Sequence, residues 1–499
     1  MNLSKSLYTK GIQCSKALWL KKYNKSVLTP PDDSALARFE TGNVVGDLAC
    51  ELFPNGIEIP YTTNFDEMIK QTAKYIDDGI KYIYEATFNF NGILVLVDVL
   101  EIHEDSKVSI YEVKSSSSVK DIYVHDTSIQ YYVLEQLGFS IVSANVVHIN
   151  SSYVRGDSLE LDELFTIADV SDEVIALQEN IPTTLKEFET ILEDKINEPN
   201  IDIGKHCHNP YVCDAKDYCW NTQRAIPEYS IFNIFNLGSK KQIELYSQGI
   251  TKIEDIPDDF AMTANQAQAV ENYKSKETFI NKEKIKEFVD TLTYPIYHLD
   301  FETFQQAIPE FKGISPYQQI PFQYSLHIEY EDGTLEHKEY LALDGIDPRE
   351  QIAKRLVADI PNDVTVLAYN MSFEKGVIKR LADLYPKLST HLLSINENMK
   401  DLMIPFQKKY YVTPSMNGSY SIKYVLPALV PEFAKAYKEL DGVQNGSQAM
   451  NAFANLGKLD EVSKEKMRTS LIEYCKLDTL AMVKILEKLK EFKGVIKRD

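Results

Sequence analysis

Apolar and polar positions follow two periods along this chain, and each predicts a different element. Gly92-Ile-Leu-Val-Leu-Val-Asp98-Val-Leu-Glu101 is an apolar run broken by one carboxylate, which predicts a buried strand. Glu104-Asp-Ser-Lys107 predicts a turn, and Val108-Ser-Ile-Tyr-Glu112-Val-Lys114-Ser115 predicts a second strand. Alternate side chains of a strand share a face, so Glu112 and Lys114 point the same way. A helical period follows, with Ile129, Val133, Leu134 and Leu137 on the apolar side and Gln130 beside them. Residues 184–196, rich in Lys and Glu, predict a further helix.

Both periods return toward the C-terminus. Tyr294-Pro-Ile-Tyr-His-Leu-Asp300-Phe-Glu302-Thr303 predicts a strand with Asp300 and Glu302 on one face. Tyr324-Ser-Leu-His-Ile-Glu-Tyr330, then Asp332-Gly333, then another strand, predicts a hairpin. Val364-Thr-Val-Leu-Ala-Tyr-Asn370-Met-Ser-Phe373-Glu374 predicts an apolar strand running into a helix, with a carboxylate at the junction. In Tyr474-Cys-Lys-Leu-Asp478 the four-residue spacing stacks Tyr474 and Asp478 on one helical face. The expected fold class is α/β, in three parts: a first α/β domain over 1–222, a bridge of short helices over 223–290, and a second α/β domain over 291–499. Neither repeats nor low-complexity tracts interrupt them.

Paired carboxylates on shared faces are oxygen ligands for hard cations such as Mg²⁺ or Mn²⁺, and two such ions clamp the attacking and leaving oxygens of a phosphodiester. A metal-dependent nuclease is the natural reading. At 499 residues, 44% hydrophobic and 25% charged, the chain is long enough for two or three cores of ordinary globular composition. Its net charge of −21 has the wrong sign for coating or packaging nucleic acid. A nuclease needs only a local basic stripe, so that class survives. No run reaches the roughly 18–20 apolar residues of a membrane helix, and Met1-Asn-Leu-Ser-Lys-Ser-Leu-Tyr-Thr-Lys10 has no apolar secretory core. A cytoplasmic location without membrane contact is expected, where disulfides are uncommon.

The six cysteines therefore need another explanation. Cys207, Cys213 and Cys219 fall in a short, polar run broken at Asn209-Pro210, so their thiols can converge. Cys14, expected to open a helix after a glycine turn at Gly11, is the best fourth ligand. Cys50 and Cys475 read as small buried hydrophobes. Zinc sites show tighter C-x₂₋₄-C pairs, whereas both spacings here have five intervening residues. A [4Fe–4S] cluster on four thiolates accepts such spacing better; zinc, with His206 or His208 as a substitute ligand, is the alternative.

On these residues two resemblances rest. Asp300-x-Glu302, Asn370-x-x-Phe373-Glu374 and Tyr474-x-x-x-Asp478 resemble, in order, the three motifs of DEDD exonucleases in their tyrosine form, across about residues 291–490. That resemblance implies an RNase H-like fold with Asp300, Glu302, Glu374, Tyr474 and Asp478 as the catalytic set. The second motif usually ends in aspartate, and Glu374 is one methylene longer. Asp98, Glu112-x-Lys114 and Gln130, bracketed by Cys14 and the cysteine trio, resemble the PD-(D/E)xK iron–sulfur nucleases of the RecB-like class, including CRISPR-associated adaptation nucleases. There Asp98 and Glu112 would hold the metal, Lys114 would orient the attacking water, and Gln130 would position lysine or water. Those relatives carry a further helical histidine after a glycine; here Gly46 stands at that spacing, with Asp47 and Glu51 as acidic alternatives. Gly11-Ile-Gln-Cys14, Pro210-Tyr-Val-Cys213, Asp300-Phe-Glu302-Thr303 and Ser421-Ile-Lys-Tyr-Val-Leu-Pro-Ala-Leu429 resemble one bacterial family joining both domains. The expectation is a DNA nuclease with two Mg²⁺- or Mn²⁺-dependent sites. The alternatives are a nucleic-acid-binding scaffold with decayed sites, or an RNA exonuclease.

Overall fold

Strand-forming residues in the first half of the chain pair into a mixed sheet whose central members carry the predicted carboxylates. The computed structural model describes residues 2–492, which gather into two units: Met1–Ala225 with Gln306–Gln318, and Ile226–Gln305 with Gln319–Asp499. Each is a mixed α/β body.

In the first unit, β1 (Tyr82–Phe90), β2 (Ile93–Ile102) and β3 (Lys107–Lys114) form an antiparallel meander. β4 (Ser140–Ile149) lies parallel to β3, and β5 (Phe165–Asp169) antiparallel to β4. The helices that matter for chemistry are α1 (Lys5–Gln13), α2 (Ser15–Tyr23), α3 (Asp33–Cys50) and α4 (Asp121–Gln136). The two-residue stub Leu3–Ser4 pairs in parallel with β2, which sets the first turn of α1 at the sheet. β2 is apolar except at Asp98 and Glu101; Val95, Val97, Val99 and Leu100 are fully buried, and Asp98 between them is only partly covered. Ile129, Val133 and Leu134 of α4 pack on that core. Each such side chain contributes about 1.5–3 kcal/mol by leaving water.

Three sequence expectations need correction here. Leu137 is 42% exposed, because α4 ends at Gln136 and Leu137 is only its cap. The helix expected over 184–196 spans Ile181–Glu193; Asp194 stops it by accepting the amides of Ile196 and Asn197. Gly11 lies inside α1 rather than in a turn, and the reason is space. A β-carbon there would come within 2.6 Å of the Phe188 ring.

Residues 306–318 also belong to this unit. Gly313 donates to the carbonyl of Arg155 (2.8 Å), and Arg155 to that of Ile314 (3.0 Å). Ala307 and Tyr317 pack beside Val45, Phe53 and Val147, and the Tyr317 hydroxyl donates to the Ser115 carbonyl, one residue beyond β3.

The second unit holds a five-stranded sheet of β6 (Ile296–Phe304), β7 (Ile320–Glu329), β8 (Leu335–Leu341), β9 (Thr365–Ala368) and β10 (Met399–Asp401), in the order β8-β7-β6-β9-β10. β6, β7 and β8 are antiparallel neighbours; β9 and β10 continue in parallel from β6. The predicted hairpin joins β7 to β8, with Gly333 at φ 87° and the Asp332 carboxylate accepting the Thr334 amide at 2.9 Å. α5 (Ser372–Leu384) follows β9, and α6 (Ile422–Leu429) precedes a 32-residue helix, α7 (Glu461–Phe492), laid across β6 and β7. The stretch before β6 supplies the short helices Ser239–Ser247, Ala264–Ser275 and Lys282–Val289. Among the described residues no helix is long and apolar enough to cross a membrane.

Candidate functional site

Two clusters of buried ionisable groups mark the chain, one in each unit. In the second unit, Asp300 and Glu302 share a face of the central strand β6, and α7 brings Asp478 and Tyr474 against it. Glu374, on the first turn of α5, completes the group. Glu302, Glu374, Tyr474 and Asp478 are all under 9% exposed. The predicted set is thus brought together: burial first, then the charges of Asp478, Glu302 and Glu374, raises the Asp300 carboxyl well above the carboxylate range. Burial and Asp478 do the same to Glu302, while burial pushes Glu374 up to about 8 and Asp478 to about 6. Tyr474 is held as the neutral phenol by burial and by the neighbouring carboxylates.

Two details bear on a cation. One oxygen of Glu374, Oε2, is buried with no hydrogen-bond partner. Asp300, Glu302 and Cys475 also lie close, each offering a donor atom within 4.8 Å of the others. Cys475 is fully buried, as expected, but it is more than packing, since its Sγ lies 3.9 Å from Asp300 Oδ2. The donors fit a hard divalent cation, with one soft ligand at the edge.

Sequence reasoning missed two further groups. The Tyr437 hydroxyl donates to Asp478 Oδ1 at 2.6 Å. Lys423, on α6, holds its ammonium 5.5 Å from the Tyr437 ring and 5.9 Å from the Tyr474 ring, and its charge counters the upward shifts of Glu302 and Asp478. Lys423 lies inside the quoted Ser421–Leu429 stretch, which was the available signal. Tyr437 had none.

In the first unit the four predicted residues also converge. Gln130 Nε2 donates to Glu112 Oε2 at 2.7 Å, and Lys114 Nζ to Glu112 Oε1 at 2.6 Å. Asp98, across the sheet, accepts the Val113 amide at 2.7 Å. Three residues join them unforeseen. Lys5 Nζ reaches Glu112 at 2.9 Å and Asp98 at 3.4 Å. Asp126 accepts from Lys114 at 2.7 Å. Glu85, at φ 56°, stands opposite Asp98 where the β1–β2 register skips a pair. Asp47 and Glu51, the acidic alternatives for the absent helical histidine, are exposed; Lys5, Glu85 and Asp126 surround the carboxylates instead.

Opposing effects set the charges here. Burial by itself would raise Glu112, yet Lys114 and Lys5 outweigh it and hold its carboxyl well below the usual range. Asp98 moves up, through burial and then Glu112. Burial and Glu112 push Asp126 up to about 6; burial and Asp98 push Glu85 to about 7. Two ammonium groups thus already neutralise the carboxylates that would bind metal.

The four selected cysteines do meet. Cys14, Cys207, Cys213 and Cys219 line one small cavity, together with Lys16, Lys216 and His206. Cys14 sits between α1 and α2, and Cys219 lies in a π-helical turn, Tyr218–Gln223. Burial raises the Cys14 and Cys219 thiols and pushes Cys213 up to about 11, so binding a metal would release protons. Donor sets within 4.8 Å of one another among the described residues do not include this quartet, whereas a zinc tetrahedron has sulfur–sulfur edges of about 3.8 Å at a Zn–S distance near 2.3 Å. His208 turns away to pack its ring against Trp220.

Residues 297–421 match a domain of unknown function, DUF2779. A stretch of 237 residues is 27% identical to the uncharacterized protein UU173 of Ureaplasma parvum serovar 3, covering 43% of this chain and 34% of that protein. The uncharacterized protein MG366 of Mycoplasma genitalium is 25% identical over 237 residues, 44% of this chain and 35% of its own length. The chain thus spans about a third of the length of these curated relatives. No solved structure matches it. What the chain is similar to is therefore itself uncharacterised, with the DUF2779 segment running from the β6 carboxylates to the threshold of α6.

Proposed function

We propose that the chain is a metal-dependent nuclease whose exonuclease-type centre is Asp300, Glu302, Glu374 and Asp478. The observation that carries this reading is the buried, unpartnered Glu374 Oε2 beside carboxylates that raise one another's pKa. Such a group is costly when charged, and at neutral pH either a proton or a cation must offset it. A bound Mg²⁺ or Mn²⁺ would supply charge neutralisation and an activated water. The chain's own residues do the rest. Asp300 and Glu302 present oxygens from a rigid central strand, Tyr437 fixes Asp478, and Tyr474 supplies a phenol to hold water in line. Lys423 offers the positive charge that a phosphate approaching an acidic site requires. The sheet order, antiparallel through β6–β8 and parallel through β9–β10, supports an RNase H-like fold. The meander, α4 and parallel β4 support a PD-(D/E)xK fold for the first unit, and the cysteine quartet favours a [4Fe–4S] staple over zinc.

A second reading applies to the first unit. Lys5 already occupies the carboxylates of Asp98 and Glu112, which favours a nucleic-acid-binding platform there over a second active centre.

End-labelled single and double strands of DNA and RNA, incubated with Mg²⁺ or Mn²⁺, test both readings. Shortening from a 3′ end that disappears in Asp300→Asn is expected. A Lys114→Ala variant that loses about 10²-fold or more on any substrate restores the first unit as a nuclease. If no strand is cut in an Asp300-dependent way, the second unit is not an exonuclease.

A further inference from the structure

A cavity of about 620 Å³ in the second unit adjoins the carboxylate centre without being part of it. That volume lies within the range of small-molecule sites, about 300–1,000 Å³. Its walls are rings: Tyr229, Phe235, Tyr369, Tyr420 and Tyr424. Phe235 is 54% and Tyr424 40% exposed, and Phe235 meets the Tyr420 ring edge-on at 5.7 Å, which leaves ring surface open to a ligand. Tyr369 and Tyr420 are fixed, the Tyr369 hydroxyl donating to the Tyr420 carbonyl at 2.6 Å.

Between the rings stand three amides. Asn233 and Asn370 spend their carbonyl oxygens inside the protein, accepting from Ser230 and Ser372, which turns their NH₂ groups toward other acceptors. Asn370 and Asn417 sit at φ 71° and 47°, a left-handed backbone concentrated at this wall. Gly418, at φ 69°, is required next to them, because a β-carbon would lie 2.3 Å from the Tyr229 hydroxyl. Neither lysine nor arginine lines the cavity and the Glu228 carboxylate does, which disfavours a phosphate inside it. Flat apolar faces with amides at their edges suit a heteroaromatic base.

The position matters as much as the lining. Ser421 and Ile422 form part of the wall, and the next residue is Lys423, whose charge acts on Glu302 and Asp478. Asn370 forms another part, and Glu374 follows four residues later on the first turn of α5. We propose that this cavity receives an unpaired nucleobase of a single-stranded DNA or RNA end, stacked on Phe235 and Tyr424, while its phosphate passes Lys423. The proposal rests on the nuclease reading and adds what that reading lacks, a preference for unpaired strand ends.

Fluorescence anisotropy on the full chain tests it, with Asp300→Asn used to prevent cutting. The probes are single-stranded oligonucleotides of DNA and of RNA, with and without abasic residues at the 3′ end. Phe235→Ala and Tyr424→Ala are each expected to weaken binding of the base-bearing strand about tenfold. The abasic strand is expected to bind the parent equally weakly and to lose nothing more in the double variant. Duplex ends are expected to bind as abasic strands do. Variants that hold the base-bearing strand as tightly as the parent overturn the pocket, as do equal losses on the abasic strand or absence of strand binding altogether. The two readings fail separately. Asp300-dependent cutting with no base dependence removes only the pocket, and base-dependent binding without Asp300-dependent cutting removes only the exonuclease.

Discussion

The hydroxyls of Tyr123 and Tyr211 lie 2.9 Å apart, and that one bond joins the cysteine loop to the helix behind Lys114. Tyr211 stands between Cys207 and Cys213, and its carbonyl also accepts from Gln13 at 2.8 Å, one residue before Cys14. Tyr123 lies on α4, and the Lys114 ammonium is 5.4 Å from its ring. What holds the cysteines therefore also steadies the lysine.

From this it follows that Cys14→Ala removes more than a ligand. Anaerobically purified protein is expected to be brown and to contain a four-iron cluster. Cys14→Ala is expected to lose the iron and to lower the first thermal transition. Tyr211→Phe is expected to keep the iron and cost only about 1 kcal/mol, the net worth of one hydrogen bond. Iron analysis and calorimetry decide; stoichiometric zinc in place of iron would refute the cluster.

Lys5 makes the first centre self-neutralising. Replacing it with methionine leaves Glu112 with Lys114 as its one ammonium partner and Asp98 with the Val113 amide alone, at a cost below the about 3–5 kcal/mol of a buried pair broken outright. Mn²⁺ is then expected to raise Tm far more in Lys5→Met than in the parent, because the cation enters the place the ammonium left. Equal Tm values for both proteins across a Mn²⁺ titration would show that Lys5 does not guard the site.

The second centre gives the cation-free protein an inverted pH profile. Carboxylates unfold to pKa values near 3.9 and 4.3, whereas Glu374 stands at about 8 and Asp478 at about 6 in the fold. Between roughly pH 4 and 8 the folded form therefore binds more protons than the unfolded one, so stability falls as pH rises through that window. Urea midpoints measured in chelator are expected to decline across it. Glu374→Gln is expected to flatten the decline, and an unchanged slope would mean that Glu374 is charged in the fold.

Gly11→Ala tests the packing of α1. The added methyl meets Phe188 at 2.6 Å, and overpacking of this kind costs about 1–3 kcal/mol, more than the helix gains from alanine. A lower Tm is expected, recovered when Phe188→Leu opens room. If the single variant melts like the parent, the helices can separate without penalty.

What the sequence made legible was local. Asp300 with Glu302, Glu112 with Lys114, and Tyr474 with Asp478 follow from periods of 2.0 and 3.6 residues, which hold wherever the element forms. Gln130 was found through the PD-(D/E)xK resemblance, and the helical period then put Asp126 within reach, one turn earlier on the same helix. Lys5, Lys423 and Tyr437 were not. Lys5 and Tyr437 come from segments whose own pattern says nothing about chemistry, Lys423 from a stretch singled out only by family resemblance, and only the tertiary path carries them to the carboxylates. Gly11 misled for a related reason. Its lack of a side chain serves the approach of Phe188, a residue far along the chain, and not a turn.

The stretch 306–318 gives the order of synthesis a physical meaning. A ribosome releases Met1–Ala225 well before Gln306–Gln318, and translation at about 5–20 residues per second puts the delay on the order of 5–20 s. During that interval the surface around Val45, Phe53 and Val147 awaits Ala307 and Tyr317, and the Ser115 carbonyl beside Lys114 awaits its donor. The nascent first unit therefore stays unfinished until the β6 carboxylates have already been made.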